Sequence, residues 1–165
     1  MSQRVHITEE SCYEALEAAQ RRFQRSMAPM RLKRIARNVD PIVVICGQKP
    51  NWLAAAYGVS VRANLAIRNR MHLRESTTPS TPIDGRAYFM LINVYPKSFG
   101  KLGSTSKSYL KRVLAHELGH LIHSCTEKQG GYMTEADAKT DHCEAWQRIS
   151  LWCGGNDGPL IEYVA

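Results

Sequence analysis

Val113-Leu114-Ala115-His116-Glu117-Leu118-Gly119-His120-Leu121-Ile122-His123 is the stretch on which the reading of this chain turns. Leu110, Leu114, Leu118 and Leu121 recur at helical spacing and predict an amphipathic helix. Two histidines four apart lie on one face of such a helix, about 6 Å apart along its axis. Their imidazoles can therefore converge on one ion at about 2.0–2.1 Å, the Zn–N distance. Glu117 is rotated by about 100° from His116, so it stands beside the ion as a base rather than on it as a ligand. His116-Glu117-x-x-His120 is thus the H-E-x-x-H pattern, and its donor set suits Zn2+.

A catalytic zinc commonly has three protein ligands and one water, so a third donor must come from elsewhere. His123 faces the same side but lies about 10.5 Å along the axis from His116, too far to share one ion. It reads as a polar residue at a helix end, near Ser124. The metzincin continuation requires Gly at the place of His123 and His at the place of Thr126, which excludes that class. The remaining candidates lie on a last helix expected to start at Thr134: Glu135, Asp137, Asp141, His142 and Glu144. His142 stands one turn before Trp146, whose ring could pack under the imidazole, and a carboxylate (Glu144 or Glu135) is the rival.

Outward from the motif, the sequence reads as a helix, a few strands and then two helices, an α+β order. Thr8 is a candidate N-cap, followed by Cys12, Ala15, Leu16, Ala19 and Phe23 at helical spacing. Pro29 predicts a break, and Arg31–Arg37 a short basic helix. Ile42–Cys46 and Ala87–Tyr95 read as buried strands. Between them, Trp52–Arg74 fits strand in part and helix in its Ala-rich parts, and Glu75–Gly85 reads as loop. Gly100–Ser106 is also read as loop, and Gly154-Gly155 closes the last helix.

With 165 residues the chain is long enough for one domain with its own core, here about residues 8–155. No apolar run reaches membrane-spanning length, and the polar first ten residues lack the apolar stretch of a secretory signal. Five irregularly spaced cysteines without C-x-x-C argue against a disulfide framework and against a cysteine-built zinc ribbon. Reduced thiols in a cytoplasmic compartment are expected. The net charge of +7 is uneven: residues 1–80 hold 13 Lys/Arg against 6 Asp/Glu, and the remainder is balanced. Such a half suggests an anionic partner, and DNA is the expectation. Arg21, Arg22, Arg25, Arg31, Lys33, Arg34 and Arg37 are the candidate contacts, with Trp52 and Tyr57 able to stack on exposed bases.

The chain resembles the SprT-like (Spartan-like) zinc metalloproteases. The resemblance rests on the strand Tyr88–Asn93 followed by Pro96, on Leu114-Ala115-His116-Glu117-Leu118-Gly119-His120, and on His142-x-x-x-Trp146. It implies that His116, His120 and His142 bind Zn2+, that Glu117 is the catalytic acid/base, and that the substrates are proteins, in several family members those bound or crosslinked to DNA. Cys143 departs from the family, which usually has Gly after the third His. His116–His123 is also similar to the ImmA/IrrE regulatory metalloproteases, in which a Glu on a following helix is the third ligand. Glu135 or Glu144 would fill that place, in a protease that cuts a repressor. A non-enzymatic alternative is a DNA-binding protein whose zinc staples two helices with four protein ligands.

Overall fold

The structure is a computed structural model, and it describes residues 3–47, 52–60, 88–126 and 142–155. The expectations placed on Glu75–Gly85, Thr134, Glu135, Asp137 and Asp141 lie outside these residues, as does that on Val61–Arg74. The described elements form an α+β fold.

Helix α1 (Glu9–Arg25) starts where the sequence places its cap. Thr8 Oγ1 accepts from the Ser11 amide, and Ser11 Oγ accepts from the Thr8 amide, so the pair satisfies two amides of the first turn. Its buried stripe is Cys12, Ala15, Leu16, Ala19 and Phe23. At its end Ser26 Oγ donates to the Phe23 carbonyl and accepts from the Ala28 amide, turning the chain into Pro29. Helix α2 (Met30–Arg37) then folds back, tied to α1 where the Gln24 amide group donates to the Lys33 carbonyl.

Strands β2 (Ile42–Ile45), β3 (Ala54–Ser60) and β4 (Tyr88–Val94) form a sheet of order β2-β4-β3. The central β4 pairs in parallel with β2 (Ile42 opposite Leu91) and antiparallel with β3 (Ala54 opposite Val94). Buried on both sides, β4 carries a near-continuous apolar run. The ambiguous Ala-rich stretch resolves as strand at Ala54–Ala56, because small side chains on this edge let a helix lie close to the sheet.

Two short strands went unread in the sequence. β1 (Arg4–His6) pairs antiparallel with β5 (Ser104–Ser106), inside the stretch read as loop. Three residues are too few to show a period. Gly103, at φ +61°, sits where a Cβ would come within 2.9 Å of Pro96 Cβ, so the turn into β5 requires glycine.

β5 leads directly into α3 (Lys107–Thr126), whose start is capped by Ser106 Oγ accepting from the Tyr109 amide. The expected amphipathic stripe holds only for the first turns. From Val113 to Ile122 every residue is buried, because α3 packs on α1, α2, α4 (Glu144–Cys153) and β3 together. The last helix also differs from expectation. Helix does not run through His142 and Cys143: His142 lies in a turn, Cys143 is the N-cap, and Gly154, at φ +92°, ends α4.

Candidate metal centre

α3 supplies His116 and His120 one turn apart, and the turn before α4 supplies His142. His116 Nε2 lies 3.2 Å from His120 Nε2 and 3.4 Å from His142 Nε2. One ring nitrogen from each of the three lies within 4.8 Å of the others. Three nitrogens at about 2.0–2.1 Å from one tetrahedral ion are separated by about 3.3–3.4 Å, so the two measured edges match a zinc-sized ion. Among the described residues no fourth His, Cys, Asp or Glu joins the three. The trio can therefore hold a metal ion.

The rings are held from below by Trp146. Its centroid lies 4.7 Å from His116, 4.7 Å from His120 and 4.5 Å from His142, nearly parallel to the His120 ring and edge-on to the other two. Trp146 is wholly buried, and its Nε1 has no hydrogen-bond partner among the described residues. Aromatic packing against the imidazoles is what fixes this ring. The Gln147 side-chain amide donates to the His142 carbonyl and pins the turn to the first turn of α4.

Two glycines bring the helices close enough. A Cβ on Gly119 would meet the Ser150 Cα at 3.1 Å, so α3 and α4 approach backbone to backbone here. A Cβ on Gly155 would fall 2.9 Å from the His116 backbone nitrogen and closer still to Ser150 Oγ. The chain leaving α4 is thus laid against the helix that carries two of the histidines. The sequence held a signal for both, a glycine inside the motif and a Gly-Gly pair, but not the partner each would meet.

Glu117 and His116 are wholly buried and His120 nearly so, while His142 is half-buried and gives the cluster its more open side. His123 stands outside the trio, at 3.5 Å from Cys143 Sγ. Glu144 is exposed on the first turn of α4 and pairs with Arg148, four residues on, so it is not among the convergent donors. The seven expected basic contacts divide. Arg21, Arg22 and Arg25 line a groove between α1 and α4, whereas Arg31, Arg34 and Arg37 are exposed on α2 and Lys33 is half-buried there. Trp52 is half-buried at the entry to β3.

No protein-family model, no curated protein and no solved structure matches the chain. No helix among the described residues is long and apolar enough to cross a membrane.

Proposed function

We propose that this chain is a zinc-dependent endopeptidase. The observation that carries the reading is the convergence of His116, His120 and His142, with ring nitrogens within 4.8 Å of one another and the two spacings to His116 suited to one tetrahedral ion, and with Glu117 next in sequence to the first ligand. The motif's resemblance to the SprT-like metalloproteases supports the same reading. The exclusion of Glu144 from the trio weighs against the ImmA/IrrE-like alternative in the version that uses Glu144 as third ligand.

His116, His120 and His142 would hold the zinc, which supplies Lewis acidity toward the scissile carbonyl and toward water. Glu117 takes the proton from the attacking water and delivers it to the leaving nitrogen as the peptide bond breaks. Burial of Glu117 keeps competing water off its carboxylate, and the Trp146 floor keeps the imidazoles from turning away. The exposed arginines of α2 support a nucleic-acid partner, which would direct the activity to proteins bound or crosslinked to DNA in a reducing, cytoplasmic compartment.

The test is a pair of measurements on Glu117→Gln. Zinc content should stay at the level of the unaltered protein, and cleavage of an unfolded protein substrate such as casein should vanish. Retained cleavage would sink the peptidase reading.

A further inference from the structure

Away from the histidines, α1 and α4 enclose a second feature, an open-sided groove of about 580 Å³. One wall is Arg21, Arg22 and Arg25, and the other is Leu151 and Trp152. Among the described residues no acidic side chain lines it. On its exposed edge Glu17 pairs with Arg21 at 3.3 Å. Trp152 is fixed in its wall by an edge-on contact with Phe23, at 6.2 Å between centroids. Leu151 is 51% exposed although it sits on a helix whose other large apolar residues are half-buried or buried. Basic residues in the last turn of α1 are accounted for by the helix dipole. The exposed leucine and the tryptophan facing them across the groove are not.

We propose that this groove is a recruitment site for an acidic, apolar-anchored peptide segment of the protein substrate. Guanidinium groups recognise carboxylates by paired, charge-assisted hydrogen bonds, and the Leu151–Trp152 wall receives an aliphatic or aromatic anchor. Nucleic acid would match the arginines equally well, but an exposed leucine offers nothing to a phosphate backbone. The peptide is therefore the occupant that uses both walls. The importance of the site for turnover rests on the peptidase reading; its capacity to bind does not. Trp152 lies about 12 Å along the α4 axis from Glu144, next to the histidine turn. An extended chain covers that in about four residues. The acidic segment must then stand at least about that many residues from the bond to be cut.

The probe is a fluorescein-labelled peptide of alternating Glu and Leu, compared with the same peptide carrying Gln for Glu and with labelled oligothymidylate. Each is titrated by anisotropy into the full chain bearing Glu117→Gln, so that no cleavage intervenes. The Glu peptide should bind, and the Gln peptide about tenfold or more weakly, as expected for losing one or two charged hydrogen bonds. Arg25→Gln and Leu151→Ser, both at exposed positions, should each weaken the Glu peptide by a similar factor while circular dichroism is unchanged. Absence of binding by the Glu peptide, binding indifferent to both substitutions, or oligothymidylate binding as tightly and lost in the same variants would each overturn the assignment. A protein that cleaves nothing yet binds the Glu peptide as described would overturn the peptidase reading and leave the groove standing.

Discussion

At the scale of single residues, the metal centre rests on packing as much as on donors. His142→Ala removes a converging nitrogen and should weaken zinc binding by more than the 10–100-fold that loss of an outer partner typically costs. A chromophoric chelator competition measures this. Trp146→Ala leaves all three nitrogens in the chain but takes away the surface they lean on. It should lower both zinc affinity and stability, the latter by about 3–5 kcal/mol as for other buried aromatics, whereas Trp146→Phe should recover most of the affinity. Gly155→Ala cannot be accommodated without moving Ser150 or the His116 backbone, and a cost of about 1–3 kcal/mol in denaturant unfolding is expected. His116 and His120 were readable because one helical turn leaves no freedom in where two such rings point. His142 was readable only through its aromatic neighbour at Trp146. That Trp146 would touch all three rings could not be read, since it depends on how two helices cross.

At the scale of elements, none of the five cysteines is joined in a disulfide, and their surroundings differ. Burial pushes the Cys12 thiol in α1 up to about 12, and raises that of Cys153 in α4 as well, with the Arg22 charge opposing it. Cys46 and Cys143 are only half-buried. A maleimide reagent at neutral pH should therefore label Cys46 and Cys143 first, and reach Cys12 and Cys153 only on unfolding; peptide mapping by mass spectrometry reads the order. The raised values also set a pH dependence. Below the thiols' unfolded value, near 9, both states hold the protons and the full stability is present. Above it the unfolded chain ionises while the folded one does not, so stability falls by up to about 1.4 kcal/mol per pH unit for each thiol until the folded value is reached. Urea midpoints between pH 8 and 11 should decline accordingly. Elements with a sustained period and a local cap were the legible ones, as α1 was in its apolar stripe and in its start at Thr8. The three-residue strands were not, and the last helix was misjudged in extent, because Thr134 and Glu135 carry cap chemistry that cannot reveal whether helix continues through His142.

At the scale of the whole molecule, the α+β order followed from apolar periodicity alone, but the strand order did not. Which of β2 and β3 flanks β4, and with what direction, is decided by contacts far apart in sequence. A metal ion held by His116, His120 and His142 would join α3 to the turn before α4, across 26 residues of chain. Zinc present at about a thousand times its Kd should then add about 4 kcal/mol of stability, and a chelator should take it away. Differential scanning calorimetry with and without 1,10-phenanthroline gives the comparison; an unchanged Tm would show that the ion does not bind the native chain.

The position of β4 at the centre of its sheet has a further consequence for biogenesis. The sheet cannot close until Tyr88–Val94 has left the ribosome, and the last imidazole follows only some fifty residues after that strand begins. Nascent chains should therefore expose Ile42–Ile45 and the following alanine strand unpaired for much of translation, a window in which they are open to chaperones or to aggregation. A metal ion held by the three imidazoles could then load only after His142 has emerged, well behind the strands of the sheet, and a cell short of the ion would accumulate the chain uncharged.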